Sequence, residues 1–424
     1  MRIAISPNQA AGRRTAIFLA ASILIFAAAV ALQLSWEGGA AAPAASAVKI
    51  ADPVATWQAR VEGRPEDAGA YAGLGLALLQ KVRETNDATL YGRAQQAFEQ
   101  ALARDPQQLD ALVGRGVLAL ALHDFRGALA LGDRIQALNA RKAAGIGVRV
   151  DALVELGRYA DAVAALQQMV DLRPDLESYS RISYLRELHG DVKGAVEAMR
   201  MAADTALPGS EPWLWTLTHL GHLYWGQGDL NAAESIYRTV LQQKPDYPFA
   251  QFGLARIDAA RGEKQAALTI LRPLAVRLPL PEFLAALGDL YGGLGDARRA
   301  QEQYDLVHVI QQLNAGAGMN VDLELATFDV MHGVDPEAAL AAAQAAYRER
   351  PTIYAADTLA WALHNIGDDQ AAWRYSREAL RLGTRDAMLH AHAAAIAAGL
   401  GDTAAAEQHQ AEVVRINLYY SPWK

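Results

Sequence analysis

The 424-residue sequence contains no cysteine, and charged side chains make up only 20% of it. The absence of cysteine excludes disulfide bonds, thiolate metal sites and cysteine nucleophiles. The low charged fraction, together with 52% hydrophobic residues, argues against a disordered chain. The formal net charge is −8, and general nucleic-acid binding requires basic surfaces instead. We therefore expect a protein with a large core and no nucleic-acid partner.

Motifs of common catalytic sites are also absent from the sequence. It has no G-x-x-x-x-G-K-[ST], no G-x-S-x-G and no H-E-x-x-H. Gly75 and Gly114 lie inside helical patterns and not after a strand, which predicts a packing role. His219 and His222 could share one helix face, but no carboxylate follows four residues later. We expect no catalytic residue, no cofactor and no metal site.

One long apolar run lies near the N-terminus, at residues 15–34. Its 20 residues carry no charge and would span about 30 Å as a helix, the thickness of a hydrocarbon core. Three arginines and no acidic residue precede it, so residues 1–14 are predicted to be cytoplasmic and the rest extracytoplasmic. We predict a single-pass signal-anchor in the inner, cytoplasmic membrane, followed by a flexible linker at residues 35–51.

A cleaved signal peptide is the alternative interpretation of this run. Twenty apolar residues exceed the usual length of a signal-peptide core, which favours the anchor. The small residues at 45–47 offer a cleavage site, and cleavage would leave a secreted or periplasmic protein. A buried core helix is disfavoured, because the run is terminal, uncharged on every face and followed by a linker.

A glycine, usually followed by an acidic residue, recurs between helical patterns in the rest of the chain. Successive copies are 33, 38, 34, 33, 38, 34 and 34 residues apart, which indicates a period near 34. A small residue usually stands five positions later, and proline often closes the unit. Glycine can end a helix in the left-handed conformation, small residues let helices approach closely, and proline stops a helix. The recurring glycines are Gly157, Gly190, Gly228, Gly262, Gly295, Gly333, Gly367 and Gly401.

This pattern resembles the tetratricopeptide repeat family. The best match runs from Leu217 to Pro245, with Leu220, Gly221, Tyr224, Gly228, Ala233 and Tyr237 in register. The resemblance covers roughly residues 52–420. It implies an all-α, right-handed superhelical solenoid of about ten helix pairs, after a leading helix near residues 53–62. Each pair is expected to bury its apolar face only against its neighbours.

The sequence departs from the repeat pattern in two places, and each departure leads to a structural prediction. An insertion at residues 81–89 is predicted to lengthen the turn between two helices. The C-terminal sequence LYYSPW, which leads into a short tail at residues 421–424, contains three aromatic residues. These are expected to cap the last helix pair, and a docking tag for another protein is the alternative.

The resemblance also implies which residues face the concave groove of the superhelix, through four register positions on the first helix of each pair. Aromatic residues and arginine, which dominate binding hot spots, are frequent there, so the groove is a candidate site for an extended peptide or a partner helix. Several of these side chains could instead pack between adjacent repeats. The candidates are Tyr184, Glu187, Trp215, Thr218, His222, Trp225, Phe249, Phe252, Arg256, Tyr354, Asp357, Trp361 and His364.

These observations predict a non-catalytic scaffold or adaptor, tethered to the membrane by residues 15–34, that binds a protein or peptide partner in the groove. One alternative is an accessory subunit of an envelope polysaccharide or secretion system that binds glycan or a synthase. Another is an enzyme, but no block of alternating strands and helices remains outside the repeats. The sequence does not identify the partner, the oligomeric state or whether the groove is open.

Overall fold

The structure is a computed structural model that describes residues 52–85, 87–421 and 423. In this part of the chain, all regular structure is helical, and 21 helices follow one another. None of the described helices is long and apolar enough to cross a membrane. The predicted signal-anchor at residues 15–34 and the linker at 35–51 lie outside the described residues.

A leading helix, α1 (Pro53–Gly63), precedes ten helix pairs, each of which forms one repeat. The pairs, numbered as repeats 1 to 10, are α2 (Ala68–Thr85) with α3 (Leu90–Arg104); α4 (Leu109–Ala121) with α5 (Phe125–Leu138); α6 (Ala143–Glu155) with α7 (Tyr159–Leu172); α8 (Leu176–Leu188) with α9 (Val192–Thr205); α10 (Glu211–Gly226) with α11 (Leu230–Gln243); α12 (Pro248–Ala260) with α13 (Lys264–Arg277); α14 (Pro281–Gly293) with α15 (Ala297–Gly316); α16 (Asp322–His332) with α17 (Pro336–Glu349); α18 (Ile353–Asn365) with α19 (Asp369–Ala379); and α20 (Ala387–Gly399) with α21 (Thr403–Ile416).

The recurring glycines separate the two helices of a pair, as the sequence predicts. All eight have φ between 60° and 86°, the left-handed region that glycine enters without steric cost. The acidic residue after the glycine commonly caps the second helix. Asp191 Oδ1, for example, accepts a hydrogen bond of 2.9 Å from the Gly194 N–H. The cap satisfies a backbone donor that the helix itself leaves unpaired.

Large aromatic rings of the second helices are wedged between glycines of neighbouring first helices. The Tyr237 ring lies between Gly221 of α10 and Gly253 of α12, where an added Cβ would come within 2.4 and 2.5 Å of ring atoms. Phe98 is held in the same way, and a Cβ on Gly75 or Gly114 would come within 2.4 or 2.2 Å. The predicted packing role of Gly75 and Gly114 is therefore confirmed.

The insertion near residue 81 lengthens a helix and not the turn, so that prediction was wrong. Helix α2 has 18 residues, whereas α4, the equivalent helix of the next repeat, has 13. The added turn contains no glycine or proline. A side-chain hydrogen bond of 3.1 Å from Gln80 to Glu84 also stabilises it, because residues four apart lie on one helix face.

Repeats far apart in the sequence are also in contact. The Asn320 N–H donates to the Leu122 carbonyl at 2.9 Å, the Ile353 N–H donates to the Tyr159 hydroxyl at 3.0 Å, and the Asn417 side chain donates to the Trp225 carbonyl at 2.8 Å. These pairs are separated by nearly 200 residues, which we take as one turn of the superhelix. The expectation that each pair packs only against its neighbours was therefore wrong, because polar and apolar side chains join successive turns.

A buried arginine provides the strongest of these contacts between turns. Arg350, at the end of α17, pairs with Glu155 of α6, and its Nη1 lies 3.1 Å from Glu324 of α16. The guanidinium also lies over the Phe125 ring, 4.5 Å from its centroid. All three charged residues are buried. Residues from repeats 3 and 8 are thus held together in the interior.

The aromatic residues of the C-terminal segment pack against two different parts of the solenoid. Tyr420 packs against the core of the last helix pair, as predicted. Trp423 is fully buried, but it lies against Phe252 of repeat 6, with ring centroids 5.8 Å apart. The expectation of a cap on the last pair therefore holds for Tyr420 and not for Trp423, which reaches the preceding turn.

Candidate functional site

The thirteen predicted groove residues all lie on first helices of repeats, namely α8, α10, α12 and α18. No bound partner is present to test their role, so the groove assignment stays a prediction. Burial nevertheless limits what they can contact. Six are buried: Trp215, Thr218, Trp225, Phe252, Arg256 and Asp357. The other seven are half-buried: Tyr184, Glu187, His222, Phe249, Tyr354, Trp361 and His364.

The candidates of α10 and α12 form one packed cluster. Arg256 lies over the Trp225 ring, 4.6 Å from its centroid, and Phe252 packs on Phe283 at 4.8 Å. His222 Nδ1 lies 2.7 Å from the Tyr237 hydroxyl. Burial lowers the pKa of His222 well below its usual value, so this imidazole is neutral at physiological pH. The cluster is organised as protein core.

The candidates of α18 form a second cluster inside the C-terminal repeats. His392 Nδ1 lies 2.8 Å from Asp357 Oδ2, and the Trp361 ring stacks on the His392 ring at 4.2 Å with an interplanar angle of 13°. His364 stacks on the other side of this group, 4.7 Å from Trp361. These contacts join α18 to α20, so they serve packing between repeats 9 and 10.

The third cluster lies between turns of the superhelix. Tyr184 and Glu187 of α8 come close to Tyr354 of α18 and Asp386, which caps α20. Burial, and then the nearby Asp386 carboxylate, raises the pKa of Glu187 to about 7. Burial also raises the pKa of Asp386. Both carboxyl groups are therefore protonated more readily in the folded protein than in the unfolded chain.

We expect this cluster to make stability depend on pH. The folded-state pKa of Glu187 exceeds its unfolded value of about 4.3. The stabilising contribution of protonated Glu187 is therefore fully present below about pH 4.3, and it is lost as the pH rises through 7. Relative to the wild type, Glu187→Gln should gain about 1–2 kcal/mol between pH 5 and pH 8, measured by urea unfolding. The same change at exposed Glu66 should give a pH-independent difference, and equal pH profiles for both variants would contradict the prediction.

A cavity of about 240 Å³ lies between several repeats. The ends of α2 and α15 and the starts of α10, α12, α14 and α16 surround it. Four aromatic rings and six charged residues line it. The rings are Tyr91, Trp215, Tyr247 and Phe249, and the charged residues are Arg83, Glu84, Glu211, Lys244, Glu282 and Glu324.

Burial shifts the pKa values of Arg83, Glu211 and Glu282 in the direction that favours their neutral forms. It lowers the pKa of Arg83 to about 10, against the opposing effects of Glu211 and Glu84. It raises the pKa of Glu282 to about 7, although Arg256 opposes this change. Glu211 is raised as well, by burial, with Arg83 and Lys244 opposing. Their nitrogen and oxygen atoms can form hydrogen bonds with a ligand inside an apolar wall.

Only Trp215 and Phe249 of the predicted groove residues line the cavity. The other cavity residues lie at helix ends, whereas the prediction considered only inner positions of first helices. The insertion near residue 81 was the one available signal, because the longer α2 carries Arg83 to this place. No group of three or more metal-binding side chains occurs within the described residues.

Comparisons with known proteins agree with the helix pairs. Family models described as tetratricopeptide repeat match residues 87–143, 148–211 and 224–290. Cellulose synthase 1 operon protein C of Komagataeibacter xylinus is 24% identical over 228 residues, which is 54% of this chain and 14% of that protein. The chain thus spans a small part of this relative.

Solved structures of human IFIT1 share the fold. The IFIT1 dimer with PPP-AAAA superposes with a TM-score of 0.51 at 16% identity, over 78% of this chain and 77% of the other. The dimer with m7Gppp-AAAA gives 0.52 over the same shares. At this identity the likeness shows the fold alone. The chain therefore contains tetratricopeptide repeats at the matched residues, and helix pairs of similar length precede and follow them.

Proposed function

We propose that this protein is a non-catalytic interaction scaffold whose partner binds its outer surface. The tetratricopeptide repeat fold generally serves as a non-catalytic scaffold for protein partners. The observation that carries this proposal is that the chain's own contacts bury six of the thirteen predicted groove residues. A partner helix placed there would have to displace contacts such as that between Asn417 and Trp225.

Helix α15 offers the outer surface that best fits a protein partner. It has 20 residues, whereas most second helices have 14. Leu306, Val309 and Leu313 share one face of it at spacings of three and four residues, and they are 44%, 47% and 63% exposed. Grouped exposed apolar side chains are typical of interaction sites. The apolar face of an amphipathic partner helix is the complementary ligand.

The test is a photo-crosslinker placed at Leu313 of the full-length protein in its own cells. We expect one defined protein adduct, which Leu306→Glu with Val309→Glu should reduce about tenfold by placing charge in the apolar contact. Val163→Glu, at a similarly exposed position on α7, is the matched control and should leave the adduct unchanged. The absence of a protein adduct, or equal loss in the control, would contradict the proposal.

The membrane tether is part of the same proposal. The uncharged run at residues 15–34, preceded by arginines, supports a signal-anchor that holds the repeats outside the cytoplasm at the inner membrane. Such an anchor would raise the effective concentration of the scaffold near membrane-bound partners. Fractionation of cells with and without a deletion of residues 15–34 tests this, since the deletion should release the protein from the membrane fraction.

A role in an envelope polysaccharide system is the second candidate function. Its support is the similarity to cellulose synthase 1 operon protein C, at 24% identity over 228 residues. The relevant measurement is polysaccharide output in cells that lack the gene, complemented by the wild type or by the Leu306→Glu, Val309→Glu variant. Unchanged output in the deletion strain would rule this candidate out.

A further inference from the structure

The cavity between α2, α10, α12, α14 and α15 contains charged groups that the fold does not pair. Arg83 Nε and Nη2 are buried and have no hydrogen-bond partner. Glu211 and Glu282 are half-buried and form no hydrogen bond or ion pair among the described residues, whereas exposed Lys244 lies 5.7 Å from the Tyr247 ring centroid. Buried polar groups are nearly always hydrogen-bonded, so the unpaired Arg83 donors beside a cavity indicate a missing partner. Water or a ligand would supply acceptors for Arg83 and donors for the two carboxyl groups.

The charges around this cavity nearly cancel. Two cations, Arg83 and Lys244, stand with two carboxyl groups, Glu211 and Glu282, and the latter is partly protonated near neutral pH. Glu84 and Glu324 also border the cavity, but Glu84 lies 3.9 Å from Lys81 and Glu324 is paired with Arg350. A site for an anion or a cation would carry an excess of the opposite charge. The arrangement therefore suits an uncharged ligand with many hydrogen-bonding groups.

Aromatic rings complete the cavity wall. Tyr91, Trp215, Tyr247 and Phe249 line it, with apolar side chains between them. The face of a sugar ring is apolar, while its edge carries hydroxyl groups that both donate and accept hydrogen bonds. Aromatic faces and isolated charged groups match these two parts of a sugar. A volume of about 240 Å³ is enough for one or two sugar rings.

We infer that this cavity binds a neutral oligosaccharide, with Arg83 donating to hydroxyl oxygens and Glu211 and Glu282 accepting from hydroxyl groups. A free peptide end is a poorer match, because it brings a full charge to a site that has no excess charge to meet it. This inference rests on the proposed polysaccharide role for the source of the sugar. The cavity lies on the inner side of α15, whose outer face is the proposed protein-binding surface.

The inference is tested by calorimetry and saturation-transfer NMR on the full-length protein. The probes are cellotetraose, chitotetraose and maltotetraose as neutral glycans, with tetragalacturonate and diglycine as charged comparisons. We expect at least one neutral glycan to bind, and binding to weaken about tenfold in Arg83→Met and in Glu211→Gln. Arg126→Met, at an exposed position outside the cavity, should bind as the wild type does.

Three results would overturn the inference: no neutral glycan binds, a charged probe binds in preference, or both cavity variants bind unchanged. Circular dichroism must show that the variants fold, and Glu282→Gln provides a further variant of nearly unchanged shape. The protein adduct at Leu313 is measured on the same variants. A retained adduct without glycan binding refutes the sugar site alone, whereas glycan binding without an adduct refutes the scaffold proposal alone.

Discussion

Arg350→Met is expected to lower the apparent free energy of unfolding by about 3–5 kcal/mol, because it leaves buried Glu155 without a cation and buried Glu324 with His123 alone. Arg350 pairs with Glu155 and Glu324, and all three are buried. Burial raises the pKa of Glu155 although Arg350 opposes it. Burial also acts to raise the pKa of Glu324, but His123 and Arg350 overcome this and hold it near 2. Urea unfolding followed by circular dichroism measures the loss.

A matched surface pair provides the control for Arg350. Arg126 of α5 lies 3.2 Å from Glu349 of α17, so it also joins distant repeats, but both side chains are more than half exposed. Exposed pairs contribute about 0–1 kcal/mol, so Arg126→Met should change stability little. Equal losses in the two variants would show that burial of the ion pair is not the cause.

The same variant tests whether the pair holds the superhelical turns together. Small-angle X-ray scattering should show a larger radius of gyration for Arg350→Met than for the wild type, because repeat 8 would lose its contact with repeat 3. Removing all three charges with Glu155→Gln, Glu324→Gln and Arg350→Met should recover part of the stability, since no charge is then left buried alone. An unchanged radius of gyration for Arg350→Met would show that other contacts hold the superhelical turns together.

Trp423→Ala is expected to lower the apparent free energy of unfolding by about 3–5 kcal/mol, as for other fully buried aromatic residues. Trp423 is 0% exposed and belongs to the core that contains Phe252, Phe283 and Leu290. The substitution removes the indole and leaves a cavity between the tail and repeat 6. Limited proteolysis should also cleave the C-terminal segment of this variant sooner, because its attachment to the preceding turn is lost.

Two further variants test whether the loss of stability comes from the packing of the Trp423 side chain and not from any change in the C-terminal segment. Tyr419, four residues earlier, is 37% exposed, so Tyr419→Ala should change stability by less than about 0.5 kcal/mol. Trp423→Phe should lose less than Trp423→Ala, because it keeps an aromatic ring in the same place. If Trp423→Ala is as stable as the wild type, Trp423 does not act as a core residue, and the alternative of a docking tag becomes the better interpretation.

The sequence predicted the repeat architecture well because the relevant signals are local. The glycine at Gly228 ends one helix, the small residue Ala233 permits close packing, and Tyr237 fills the space beside Gly221. Each of these requirements involves residues within about one repeat period. These requirements recur in each repeat, so a repeat that lacks one of the residues can still be recognised from the spacing of the others. The leading helix and about ten pairs could therefore be predicted from the spacing together with the resemblance to the repeat family.

The positions within each repeat also placed the thirteen candidates on first helices. They did not indicate which residues from distant repeats would pack against these side chains. Trp225 is buried, and the Asn417 side chain from repeat 10 donates a hydrogen bond to its carbonyl group. No pattern near Trp225 indicates a contact 192 residues away. The same holds for Trp423, whose burial depends on where the tail ends relative to repeat 6.

Periodicity was thus sufficient for the helix pairs, their order and their internal packing, since these depend on residues close together in the chain. The contacts between superhelical turns and the cavity beside α15 required the tertiary structure. Arg83, Glu211 and Glu282 come from three repeats, and they meet only because small rotations between successive repeats add up along the solenoid. The sum of those rotations decides which distant side chains touch, and it is a property of the whole chain.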